Sequence, residues 1–370
     1  MNEDRAARYH RLRRRAAVVS AVAGLAGLIA LSVTAASPVL AAWAVRRAAP
    51  LFWPLRPVVA IALYTGVVAL AWEALSFPFA FYRSFLLDRK YGLSSEPLAT
   101  WLGDHVKALA LGLLLTLGCA VAVFATIRLS PQWWWLIATG LFILLAVLMS
   151  RIAPIWLMPI FYRFRPLERE ELRQRLLALS TRAGVPVLGI FEWGLGDKTS
   201  RANAALVGAG ASRRIIVSDT LLKDYSDDEI EVILAHEMAH HLHHDIWTAL
   251  AVETVVVAAA LYGAHAAATR IGPALALRGP SDLAALPLMV LAGAAASLLL
   301  APLSNAWSRR NERRADRFAL RLTQRRDAFV SAMKRLGAQN LAEERPSPLV
   351  YWFFHTHPTI DERIDSARHV

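Results

Sequence analysis

The run His236-Glu237-Met238-Ala239-His240 sets two imidazoles four residues apart with a carboxylate between them. On a helix, i and i+4 share a face, because 3.6 residues make one turn. Two neutral imidazoles on one face are good Zn²⁺ donors, and a carboxylate beside the ion can handle a proton from water. The chemistry on offer is metal-assisted hydrolysis, with His236 and His240 as ligands, Glu237 as general base and one Zn²⁺ per chain. The continuation His241-Leu242-His243-His244-Asp245 would also suit a plain surface cluster of histidines. What precedes the motif argues for a built helix. Ser226-Asp227-Asp228-Glu229 offers an N-cap with Glu three residues on, a capping box, and the apolar Ile230, Val232, Ile233 and Leu234 follow.

A hydrolytic metal needs a third protein ligand and an open coordination position. The best candidate lies in Ser308-Arg309-Arg310-Asn311-Glu312-Arg313-Arg314-Ala315-Asp316. Glu312 and Asp316 are again i and i+4. Glu312 completes a His₂Glu set, and Asp316 can accept the other N–H of a ligand histidine and fix its tautomer. In isolation this run would read as a solvated helix with i,i+4 ion pairs.

The elements that must position these residues lie in a very apolar chain. Of 370 residues 56% are hydrophobic, and the mean hydropathy is +0.38, too high for a soluble globule of this size. Apolar stretches long enough to cross a bilayer (~20 residues) fall at about 17–45, 57–82, 105–127, 133–158, 246–268 and 283–306. Trp133-Trp134-Trp135 marks an interfacial end. The segment 17–56 admits one long helix, a helix plus a re-entrant piece, or two short spans. Arg5, Arg8, Arg11, Arg13, Arg14 and Arg15 hold the N-terminus in the cytoplasm under the positive-inside rule. With six spans, segments 83–104, 159–245 and 307–370 then share the cytoplasmic side. Arg46, Arg47 and Arg56 fit that pattern less well.

The net charge of +12 is carried largely by arginines flanking the spans, which suits lipid headgroups and topology better than nucleic acid. The single cysteine, Cys119, excludes an intrachain disulfide and a thiolate cluster. Two intramembrane carboxylates, Glu73 and Glu253, point to a wet interior, since an ionisable group in a span usually faces a cavity or a partner. The soluble part begins with a charged helical pattern at Leu167–Ala183. Strand-like pieces follow at Val185–Phe191, Ala205–Val207 and Arg214–Ser218, and a helical block at 307–370 ends the chain.

Along nearly its whole length the chain resembles the type I CAAX prenyl endopeptidases, integral-membrane zinc proteases that mature prenylated peptides. Asp88-Arg89-Lys90-Tyr91-Gly92-Leu93 with Asp104-His105-Val106-Lys107, and then Arg151-Ile152-Ala153-Pro154, carry the N-terminal part of the likeness. Ser200-Arg201-Ala202-Asn203-Ala204, Gly208 and Ile215 to Leu222 resemble the strand pair above the metal. The HExxH helix, Ser308 to Asp316, His357-Pro358 and Glu362-Arg363-Ile364 complete the ordered set.

The resemblance implies a predominantly α-helical polytopic membrane protein; the family has seven transmembrane helices, and hydropathy counts six here, or seven if 17–56 holds two. A gluzincin-type zinc metallopeptidase domain with a small β-sheet completes it. It divides the chain into a membrane domain, 1–158, with a cytoplasmic loop at 83–104, and a metallopeptidase domain, 159–370, interrupted by a transmembrane hairpin at about 246–306. His236, His240 and Glu312 match the family's zinc ligands and Glu237 its base, with Asp316 behind them. Asn203 and Ala204 match the strand along which substrate lies. His357 and Arg363 match residues near the substrate carbonyl or carboxylate; without the likeness they would read as a turn residue and an exposed charge. The partners implied are the lipid bilayer and a prenylated, lipidated or membrane-associated peptide, and the helices wall off a chamber for its apolar part. The Ala- and Arg-rich composition suggests a bacterial inner membrane, where CAAX prenylation is not expected, so misfolded membrane proteins and lipopeptides enter as substrates. A heat-shock-type membrane quality-control protease is the competing reading, and a non-enzymatic scaffold ranks far below it.

Overall fold

The computed structural model describes residues 2–208, 210 and 213–369. Among these residues six helices are long and apolar enough to cross a membrane: Arg5–Val33, Leu55–Lys90, Leu98–Leu129, Trp134–Phe161, Asp245–Arg270 and Leu283–Thr323. The protein is therefore a mostly helical membrane protein, and the expected spans are found. Of the readings open for 17–56, one long helix is excluded. The first helix stops at Val33, and a separate helix of 13 residues runs from Ala36 to Ala48. The break is local chemistry: Ser32 and Thr34 hydroxyls donate back to Leu28 and Ala30 carbonyls, and Thr34 Oγ1 accepts from the Ala36 amide. Pro38 then sits in the first turn of the new helix, where its missing N–H costs least. At about 1.5 Å per residue the short helix covers roughly 20 Å, less than a ~30 Å hydrocarbon core. It packs on the start of the next span, where the Ser37 hydroxyl meets the Tyr64 hydroxyl at 2.6 Å and donates to the Ala284 carbonyl at 2.9 Å.

Two spans loosen into π-helical turns at Tyr82–Leu86 and Ala153–Leu157. Pro78 and Pro154 lie at or just before them, and a proline removes the N–H that would keep the α ladder regular. The first of these helices then delivers Asp88 to the block that carries the sheet. Asp88 Oδ1 accepts from the Tyr9 hydroxyl at 2.6 Å, and Asp88 Oδ2 lies 3.1 Å from Arg201.

The soluble sheet has four strands in the order β1-β2-β4-β3: β1 Phe164–Pro166, β2 Gly189–Trp193, β3 Ala204–Val207 and β4 Arg214–Ser218. β2 and β4 run parallel, and β1 and β3 flank them antiparallel. β2 begins later than the expected Val185, because Pro186 cannot donate to a ladder. β3 is an edge strand, and its register pairs Ala204 with Val217 and Leu206 with Ile215. On the inner face the helix Asp227–Leu242 lies buried almost all round. Ile230, Val232, Leu234, Ala235 and Met238 are fully covered by Ile215, Val217, Phe329, Ala332 and Met333. The capping box is formed: Ser226 Oγ accepts from the Glu229 amide, and Glu229 Oε2 accepts from the Ser226 amide at 2.8 Å. The last span does not end at the membrane. It continues as one helix to Thr323, so Glu312 and Asp316 sit on a rod anchored in the bilayer.

Candidate metal centre

His236 and His240 project from the buried helix Asp227–Leu242, and Glu312 comes from the long helix that crosses it. The two Nε2 atoms stand 3.2 Å apart. Glu312 Oε2 lies 3.2 Å from the first and Oε1 3.4 Å from the second. Four-coordinate zinc with ligands at ~2.0–2.1 Å requires donor atoms about 3.3 Å apart, the edge of the tetrahedron. Each ring nitrogen stands at that distance from the other and from a Glu312 oxygen, and one donor atom from each of the three residues lies within 4.8 Å of the others. Glu312 Oε2 is buried, 3.2 Å from His236 Nε2, and among the described residues it makes no hydrogen bond. Two imidazoles and a carboxylate with an orphaned oxygen fit a cation.

The outer ring of contacts fixes the inner one. Asp316 Oδ1 accepts from His236 Nδ1 at 2.8 Å, as its spacing from Glu312 predicts. Asp245 Oδ2 does the same for His240 Nδ1, also at 2.8 Å. With both Nδ1 protons engaged, both Nε2 lone pairs are left for the centre. Asp245 had no assignment from sequence. The helix ends at Leu242, and His244 adopts a left-handed conformation (φ 57°), which turns the chain so that Asp245 reaches back five residues. That conformation is unfavourable for a residue with a side chain and marks a constrained turn. Arg314, two residues beyond Glu312, pairs with Asp245 and closes the ring. Asp245→Asn is expected to weaken ion binding by roughly 10–100-fold, measured by competition with a zinc-chelating dye, with the fold unchanged by circular dichroism.

Electrostatics agree with a cation site. Burial pushes His236 down, but the carboxylates of Asp316, which accepts its Nδ1 proton, and Glu312, 3.2 Å from its Nε2, outweigh it and carry the imidazole up to about 9. A proton and a metal cation compete for that ring, and the carboxylates favour either positive charge over an empty nitrogen. Glu237, between the ligands, is partly buried, and burial raises its carboxyl against the nearby His236 and His240. A carboxyl held up in this way moves a proton more readily near neutral pH.

The remaining candidates divide. His357 comes to the centre, with Nε2 3.4 Å from Glu312 Oε1 and a side chain 61% exposed, so it stands on the open side. Its turn is held from behind by the buried Arg309, which donates to the His355 carbonyl at 2.6 Å and stacks 4.4 Å over the Tyr351 ring. Arg363 also comes to the centre, but its guanidinium forks onto Asp316 through Nε at 2.9 Å and Nη2 at 2.6 Å. Asn203 and Ala204 open β3, where both Asn203 main-chain groups bond Ser218. A cleft of about 550 Å³ beside His240 is walled by the other end of that strand, Leu206, Val207 and Gly208, and by Arg151, Arg213 and Glu253. Asn203 and Ala204 do not line it. Glu73 faces a cavity of about 940 Å³ between the spans and meets His105 at 2.7 Å.

A His₂Glu donor set at one end of a helical membrane bundle fits a membrane-embedded metallopeptidase. The chain belongs to peptidase family M48, whose model matches residues 166–370. Residues 2–163 match the model described as CAAX prenyl protease N-terminal, five membrane helices, and five helices are present there when Ala36–Ala48 is counted. The chain is 32% identical over 281 residues to the Bacillus subtilis metalloprotease YhfN, covering 75% of this chain and 66% of that one. It is 26% identical over 335 residues to CAAX prenyl protease 1 of Saccharomyces cerevisiae, covering 83% and 72%. The crystal structure of S. mikatae Ste24p superposes with a TM-score of 0.77 at 22% identity, over 84% of this chain and 76% of that one, which shows a shared fold.

Proposed function

We propose that the protein is a zinc metalloendopeptidase cutting membrane-associated or lipidated peptides, with His236, His240 and Glu312 as the ligands of one Zn²⁺. The observation that carries this reading is the convergence of one donor atom each from His236, His240 and Glu312 within 4.8 Å, with a carboxylate behind each histidine. When bound, the ion supplies Lewis acidity that lowers the pKa of water and polarises a carbonyl. Glu237 takes the proton from the attacking water and returns it to the leaving amine. His357 donates to the carbonyl oxygen as negative charge develops there. Arg363 takes a different role from the one its family likeness implies. Its two committed donors hold Asp316, and through it His236, rather than a substrate carboxylate.

The substrate lies extended against β3 by main-chain pairing, which tolerates many sequences. Entry is at Asn203 and Ala204, and the chain continues past Leu206–Gly208 to the cleft beside His240. An apolar substituent goes into the intramembrane cavity lined by Glu73 and His105. In this reading 1–158 is the membrane domain, and 159–370 is the metallopeptidase domain with its hairpin at about 246–306. The catalytic block faces the cytoplasm of a bacterial inner membrane. The match of residues 2–163 to the CAAX protease N-terminal model favours this over a heat-shock-type quality-control protease.

The test is cleavage of matched peptides, farnesylated and plain, by detergent-purified protein. A metal chelator is expected to abolish cleavage of both and added Zn²⁺ to restore it. Cleavage that survives complete removal of the metal would defeat the proposal.

A further inference from the structure

At the end of the bundle away from the metal, four arginines line a single cavity of about 950 Å³: Arg46, Arg56, Arg128 and Arg278. The helix Leu55–Lys90 fixes which end this is. It starts beside the cavity, and about 54 Å later its last turn meets Arg201 of the metallopeptidase block through Asp88. If that block is cytoplasmic, these arginines are external, against the positive-inside trend.

Helix ends explain only two of the four. Arg46 and Arg128 sit in last turns, where a cation complements the helix dipole. Arg56 sits in a first turn, where the dipole disfavours it, and Arg278 lies outside any helix. Among the described residues none of the four forms an ion pair, and Arg56 Nε donates only to the Leu51 carbonyl at 2.9 Å. The one carboxylate in the lining is Asp282. Its oxygens accept from the Arg278 and Ala284 backbone amides at 3.1 and 3.0 Å, so it serves a turn and not the guanidinium groups. The inner wall is apolar and includes Ile61, Phe124 and Leu277, all buried. Four guanidinium groups over an apolar slot at the membrane boundary complement a phosphate carried on an acyl chain.

We infer that this cavity seats the headgroup of an anionic phospholipid from the leaflet opposite the active site. Bound there, the lipid ties the short helix Ala36–Ala48 to the spans beginning at Leu55 and ending at Leu129, and to the turn before Leu286. Those elements all contribute to the lining. The inference rests on the topology of the proposed function but not on its chemistry.

The experiment titrates phosphatidylglycerol, with phosphatidylcholine as control, into full-length protein in neutral detergent. Its readouts are melting temperature and retained lipid by native mass spectrometry. Phosphatidylglycerol alone is expected to be retained and to raise the melting temperature. Near an anionic surface each arginine changes partitioning roughly fivefold, so Arg46→Gln/Arg128→Gln/Arg278→Gln is expected to weaken retention about a hundredfold. Arg278→Gln alone, on a loop, gives the graded loss if the triple variant does not fold. The comparator Arg8→Gln/Arg11→Gln/Arg15→Gln removes as much charge from the other end and is expected to keep the lipid. An unchanged response in the cavity variants would overturn the inference, as would an equal loss in the comparator. Inorganic phosphate that stabilises as well as the lipid would also overturn it, by making free phosphate the ligand.

Discussion

Glu237→Gln is expected to lower peptide hydrolysis by about 10²–10⁴-fold while the protein keeps one metal ion per chain. The side chain stays the same size and remains partly buried between His236 and His240. What disappears is the ability to accept a proton from water and pass it to the leaving amine. The ligand triangle is untouched, because no contact from Glu237 holds His236, His240 or Glu312; Asp316 and Asp245 do that work. Metal analysis and a fluorogenic peptide assay on the same preparation check both halves. Loss of metal together with activity would make Glu237 a structural residue.

Arg363→Ala is expected to damage the centre itself. Asp316 is 3% exposed and shares Oδ1 between His236 and Arg363. Removing the guanidinium leaves a buried carboxylate beside Glu312 with one imidazole to answer it. Stranding one member of a buried pair costs roughly 3–5 kcal/mol, read as a lower melting temperature. The His236 orientation loosens with it, so ion affinity falls too. A residue that only bound a substrate carboxylate would behave differently, with metal and melting temperature retained and KM raised. Measuring all three separates the two roles.

The metal helix was legible because everything it needs is local. A capping box starts it, an apolar run buries it, and i,i+4 spacing aligns its ligands. Glu312 and Asp316 were legible for the same reason, since one helix carries both at a spacing that matches the pair they serve. Asp245 was not. Its approach to His240 depends on a left-handed His244, a conformation the sequence does not advertise when the residue is not glycine. Arg363 was found but its partner was not, because the crossing of two distant helices decides which anion it meets. The edge strand was expected, yet the end of it that walls the cleft is set by sheet register and by where the metal helix passes beneath. β1, three residues ending in Pro166, is too short for any periodicity to show. In the membrane domain hydropathy located the spans, but it could not see the break after Val33. Serine and threonine hydroxyls make that break within a stretch that stays apolar.

In the proposed function His236, His240 and Glu312 together hold a catalytic zinc. Zinc-edge X-ray absorption on the purified full-length chain tests it most directly, beside the His240→Ala variant. One zinc per chain is expected, with two imidazoles and oxygen ligands at about 2.0–2.2 Å, and one imidazole shell is expected to be lost in the variant. A zinc shell that His240→Ala leaves unchanged, or a preparation that cuts peptides without any bound metal, would contradict it.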